Sequence, residues 1–200
     1  MMSVFVYLDQ NQTPTGVQRF ETMPGVDITV PPGALYVEDA SVLPSDMEII
    51  DRWRMKAGAL SDVGPGPSKD YRWDVTLEQW VPDVARAKAG KLKEIREARD
   101  RLEYGDFVWD GSTFDSDPQA QLRIQGAVQL STMSAAVGQP FSIDWTLADN
   151  TVRTLSGADT IAVGMTLAGH VQTVHAIART LRLQIEAATT LAEVEAVVWP

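Results

Sequence analysis

Residues 159–188 read DTIAVGMTLAGHVQTVHAIARTLRLQIEAA. Ile161, Met165, Ala168, Val171, Val174, Ala178, Leu181, Ile185 and Ala188 recur at steps of three and four, which sets them on one stripe of an α-helix. Ser156 can cap the start, and Asp159 lies in the first turn, where the helix dipole favours a carboxylate. Some thirty residues make a helix about 45 Å long. That exceeds one small core, so the stripe predicts that part of the helix packs on something else.

Working back from this helix, hairpins and helices alternate. Phe141–Leu147 and Thr151–Leu155 read as two strands turned by Ala148-Asp149-Asn150. Ser116-Asp117-Pro118 places a short polar cap before a proline and opens a helix that runs to about Val137. Its apolar positions are Leu122, Val128, Leu130 and Met133, and Gly138-Gln139-Pro140 stops it. Phe107–Phe114 is a compact hairpin turning on Asp110-Gly111. A hairpin followed by a capped helix therefore occurs twice, either as a loose duplication or as two hairpins joined in a four-stranded sheet. Val84–Glu103 is a further helix with Val84, Leu92, Ile95 and Leu102 as its seam and charge pairs such as Lys93/Glu97 spaced four apart. At the C-terminus Thr190-Leu191-Ala192-Glu193 is a capping box for a short helix ending near Trp199.

The N-terminal part has a different texture. Val4–Leu8, Val17–Glu21, Val26–Val30 and Ala34–Val37 are short strand-like runs. Gly/Pro turns at Thr13–Gly16, Pro24-Gly25 and Pro31–Gly33 separate them, the signature of a small antiparallel β unit. About forty residues make a marginal core, so this unit calls for a neighbour. Residues 42–63 show no clear period. Gly64-Pro65-Gly66-Pro67-Ser68 reads as a linker, and Tyr71–Val81 as a hairpin with Trp73 facing Trp80. The expected architecture is α+β. Residues 1–63 form a small β-rich docking unit, 64–82 a Gly/Pro linker with a Trp hairpin, and 83–200 a helical domain with two hairpins.

Composition narrows the function classes. The chain is 44% hydrophobic and 22% charged with a net charge of −10, as expected of a soluble globular protein. The acidity argues against nucleic acid as partner. Residues 81–103 hold seven basic and five acidic side chains, so the basic stripe is local, to be solvated or to meet an acidic face of another copy. With no cysteine, disulfides and thiolate metal sites are excluded. No run of eighteen apolar residues and no basic-then-apolar leader occurs, so neither a membrane span nor an export signal is expected.

Candidate chemistry is sparse. His170 and His175 are five apart, off the three-or-four spacing of a helical metal pair, and neither has a neighbouring acid in sequence. The loop Asp110–Asp117 carries three carboxylates, which turn formation and capping explain. GPGPSK at residues 64–69 has the wrong spacing for a phosphate loop, and its prolines remove the amide donors. The six tryptophans could stack on sugars, but most sit beside turns, where core or interface duty is the simpler reading. No catalytic, cofactor-binding or metal-ligating residue is expected. A polysaccharide hydrolase using two carboxylates is the reading from another class, and no acidic residue stands in an evident apolar cleft motif.

The segment from about Ala85 to Trp199 resembles an uncharacterised domain at the C-terminal end of bacteriophage tail and tail-fibre-associated proteins. The resemblance is carried in order by KLKEIREARD, FVWDGSTFDSDPQAQ, FSIDWTLADNTVRTLSG and HAIARTLRLQIEAATTLAEVEAVVW. The front part, leading to YRWDVTLEQWV, is more loosely similar to such proteins. The resemblance implies a non-catalytic structural component of the tail, found in the virion after synthesis in the host cytoplasm, with other tail proteins as partners. A tail-fibre assembly chaperone absent from the particle is the alternative. Tail proteins often assemble symmetrically, so a homo-oligomer is expected, a trimer foremost. Val174, Ala178, Leu181, Ile185 and Ala188, stepping four, three, four, three, are its expected seam.

Overall fold

The computed structural model describes residues 2–21, 28–37 and 45–200, and of Met47 the backbone alone. The chain is α+β and divides into two compact units, Met1–Arg86 and Ala87–Pro200.

In the first unit, β1 (Met2–Leu8) is the middle strand of an antiparallel sheet, between β2 (Pro14–Glu21) and β3 (Ala34–Val37). Its run of apolar residues is buried on both faces. Val4 and Val6 pack with Ile49 on one side, and Phe5 meets Phe20 and Tyr36 on the other, at ring centroid distances of 4.7 and 5.9 Å. Of the expected strand Val26–Val30, Val26 and Asp27 lie outside the described residues, as do the Pro24-Gly25 turn and Val42. Ile28–Val30 is described and is not strand. The stretch without visible period holds three unforeseen elements. Helix α1 (Asp46–Arg52) starts on a capping box in which Ser45 and Glu48 satisfy each other's backbone N–H, and β4 (Trp53–Lys56) pairs with β5 (Ala59–Asp62).

The Gly/Pro segment leads into β6 (Tyr71–Asp74) and β7 (Gln79–Pro82), where Trp73 faces Trp80 as expected, edge to face at 5.6 Å. This hairpin is held in place: the Trp73 indole donates to the Met55 carbonyl at 3.2 Å. Gly66 lies against the Trp80 ring, where an added Cβ would come within 3.1 Å. The glycine is thus needed for close approach.

The second unit realises the hairpin–helix alternation. Helix α2 (Val84–Glu103), whose first turn belongs to the first unit, is followed by β8 (Phe107–Trp109), β9 (Ser112–Phe114) and α3 (Pro118–Ala136). Asp110 and Gly111 both adopt positive φ, 46° and 73°, as a tight hairpin turn requires. Then come β10 (Ser142–Thr146), β11 (Val152–Ser156), α4 (Gly157–Ala187) and α5 (Leu191–Glu195). The two hairpins stay separate two-stranded ribbons. They touch through the Ala148 N–H, which donates to the Thr113 carbonyl at 3.1 Å, and through Arg153, which donates to Ser112 Oγ at 2.7 Å and pairs with Asp110.

One core joins both hairpin–helix pairs through Phe107, Phe114, Ile124, Leu147, Leu155, Val163 and Leu167. A second forms where the far half of α4 meets α2 and the C-terminal tail, around Ile95, Leu181, Ile185 and Val197. The surplus length of α4 therefore finds a packing partner within the chain.

Candidate functional site

The residues singled out for chemistry have structural partners. His170 Nε2 lies 2.9 Å from the Leu102 carbonyl, to which it donates, and its ring stacks on Phe107. His175 does have an acid partner, which its sequence neighbours do not reveal: its Nε2 is 3.0 Å from Glu103 at the end of α2. The two imidazoles are bound to different groups and do not converge. Asp117 is the N-cap of α3, accepting from the backbone of Gln119 and Ala120 at 2.7 and 3.1 Å. Asp110 pairs with Arg153. Asp115, Asp117 and Asp144 share a groove with Arg123 and Trp145, where Asp144 also accepts from Thr154 Oγ1 at 2.6 Å. Among the described residues no group of three histidine or acidic side chains is placed to hold a metal ion.

The tryptophans pack inward. Trp53, Trp109, Trp145 and Trp199 lean on the three apolar clusters, and Trp73 is buried. Trp80 carries Arg54 over its ring at 4.8 Å. That arginine went unnoticed in the sequence. It is only 7% exposed, and its guanidinium donates to the Ile50 and Trp53 carbonyls at 2.6 and 2.7 Å, closing the end of α1. Burial pushes its guanidinium below the usual arginine range, against the nearby Asp51 and Asp9 carboxylates, which favour the cation. Its position two residues beyond a helix end was the available signal.

The five residues expected to form an oligomer seam are covered within the chain. Val174, Leu181, Ile185 and Ala188 are buried and Ala178 is half-buried, with Leu181, Ile185 and Ala178 packed in the cluster that α2 and the tail complete. The seam is corrected to an internal one: the stripe of a helix states that it needs covering and not by which chain.

The opposite correction applies to α3. Its buried face is Ala120, Ile124, Ala127 and Ser131, with Val128 half-buried. The expected core positions Leu122, Leu130 and Met133 are 69%, 56% and 59% exposed. Small residues turn inward because α3 and α4 approach closely. At Gly164 of α4 an added Cβ would lie 2.6 Å from Val128 Cγ2. The larger apolar side chains are left outside.

This packing leaves a groove of about 680 Å³ between α3 and α4. Ile124, Val128, Ile161, Met165, Leu167, Ala168 and Val171 line it with Gly164, flanked by Gln121, Gln125, Gln129 and Gln172. None of the twelve lining residues is charged. The groove continues on the exposed side of α4, where Met165 is 72% exposed. By length and composition α4 is also apolar enough to cross a membrane, with a mean hydropathy of 1.2 over its most apolar window. The groove between α2 and α4 contrasts with it, being lined by Arg96, Arg99, Arg179 and Arg182. There Arg99 pairs with Asp100 and Arg182 with Glu186. The α3–α4 groove is therefore the open, uncharged and apolar one of the two.

Compared with known proteins, residues 86–198 match a family described as a domain of unknown function (DUF4376). No curated protein and no solved structure matches the chain.

Proposed function

This chain belongs to the DUF4376 family of domains of unknown function; we propose that it is a structural component of a bacteriophage tail, an adaptor or fibre-associated protein without a catalytic role. The resemblance of residues 85–199 to a domain of tail proteins supports the reading, and the observation that carries it is the uncharged apolar face of α3 and α4. Such a face is costly to leave in water at about 25 cal/mol per Å², and a protein whose task is to be covered by a neighbour has reason to keep it. In this reading the N-terminal β unit docks to the tail, and the helical unit holds an adjoining protein or another copy.

The test is quantitative mass spectrometry of purified virus particles, with copy number referenced to the major tail protein. A fixed number of copies per particle is expected. Presence in the infected-cell lysate with absence from particles would overturn the structural role. It would favour the assembly chaperone, for which the same face would hold a client.

A further inference from the structure

We propose that the groove between α3 and α4 is covered by a second copy of this chain, the two grooves packing face to face about a two-fold axis. The proposal rests on reading this face as a docking surface and names its partner.

Charge selects the occupant first. No Asp, Glu, Lys or Arg occurs from Ile124 to Ile143 or from Thr160 to Ala178, although the chain carries a net charge of −10. A two-fold interface sets a patch against itself, so any charged group near the axis meets its own like. This face meets itself without that repulsion. The depletion of charge is also what distinguishes the centre of a protein interface from the rest of a surface.

The polar rim points the same way. Gln125, Gln129 and Gln172 are exposed at the edges of the groove, with Gln121 half-buried beside them. A carboxamide carries both a donor and an acceptor, so glutamine is its own hydrogen-bonding complement. A rim of lysine or glutamate would instead ask for a partner of opposite sign.

Size is the third argument. The uncharged part of α3, Ile124–Ala136, and that of α4, Thr160–Ala178, are about 20 and 28 Å of helix. At a width of about 10 Å each, this layer presents roughly 480 Å² per copy, or about 1,000 Å² for two, the low end of the size of a specific interface. Four helices then enclose Met165, Val128 and Ile161 from both copies, as in the core of a helix bundle.

The experiment uses the purified full-length chain. Light scattering after size exclusion, at a concentration on the order of 10 µM, as an interface at the low end of the size range calls for, is expected to give twice the 21.9 kDa of one chain. Met165→Glu places a charge at an exposed groove position, so it is expected to yield monomers with an unchanged helical circular-dichroism spectrum. The absence of native cysteine allows a second measurement. Gln125→Cys, Gln129→Cys or Gln172→Cys is expected to form a disulfide-linked dimer on mild oxidation, and Gln10→Cys in the first unit is not. A wild-type monomer overturns the proposal, and its flotation with neutral phosphatidylcholine vesicles would assign the face to a bilayer instead. An oligomer that survives Met165→Glu, or one of another stoichiometry, also overturns it. A monomer still incorporated into particles removes the second copy and leaves the tail reading standing, while a dimer absent from particles does the reverse.

Discussion

A Cβ added at Gly164 would lie 2.6 Å from Val128 Cγ2, whereas one added at Gly126 would meet nothing within 4 Å. Both glycines stand inside helices, where glycine costs roughly 0.5–1 kcal/mol relative to alanine. Their substitutions should therefore differ in sign. Gly126→Ala is expected to raise stability by about 0.5–1 kcal/mol in urea unfolding. Gly164→Ala should lower it by about 1–3 kcal/mol, because a helical valine is stiff at χ1 and cannot swing aside. Adding Val128→Ala should recover much of that loss. Non-additivity of this kind reports the contact itself, and additive effects would show that α3 and α4 are not held apart at this point. In the sequence the two glycines look alike, and so do the two apolar stripes of α3. Leu122, Leu130 and Met133 outrank Ala120, Ala127 and Ser131 in hydrophobicity, yet closeness to Gly164 decides which stripe is covered, and closeness is not written in a single helix's pattern.

Capping governs the elements and gives them a pH dependence. Three helices begin on a capping box: Ser45/Glu48 on α1, Ser156/Asp159 on α4 and Thr190/Glu193 on α5. Hydrogen bonds from the Ser156 hydroxyl, then its backbone N–H, hold the Asp159 carboxyl below its ordinary value, and Ser45 acts likewise on Glu48. For Glu193 the Thr189 backbone N–H is the first cause. A carboxyl depressed in the folded state binds fewer protons there than in the unfolded chain. Its contribution is complete above the unfolded value near pH 4 and is lost as pH falls through the lower folded value. The urea midpoint should accordingly stay level down to about pH 5 and fall below it. The double variant Ser156→Ala/Asp159→Asn should flatten part of that fall, and an unchanged slope would deny the box its role. Two of the three boxes are legible before the structure, as are the two C-terminal hairpins and the ends of α2, because caps and Asp-Gly turns are local chemistry. The box at Ser45 is equally explicit, but it opens a helix of seven residues, too short to show a period. The hairpin after it turns on Ala57-Gly58 with φ of 50° and 77°, and alanine gives no sign of a left-handed turn.

At the scale of the molecule, each unit has its own buried clusters. Among the described residues, Val4, Val6 and Ile49 form one in the first unit, under a three-stranded sheet and a seven-residue helix. The second unit has two, each built on the 31-residue α4. Small units bury a lower fraction of their surface and are less stable for it, so the first unit should unfold at the lower temperature. Ile49 and Ile185 are both wholly buried, one in each unit. Replacing either by alanine should cost roughly 2–5 kcal/mol. Calorimetry of the full chain should then show two transitions, with Ile49→Ala lowering the first and Ile185→Ala lowering the second. A single transition shifted by both variants would make the chain one cooperative body. The same measurement bears on the open face. If α3 and α4 are covered by a second copy, the upper transition should rise with protein concentration by mass action while the lower one does not. Met165→Glu should abolish that dependence without lowering the transition seen at high dilution. A buried core position such as Ile185 cannot behave in this way, because its partner is in the same chain and is present at every concentration.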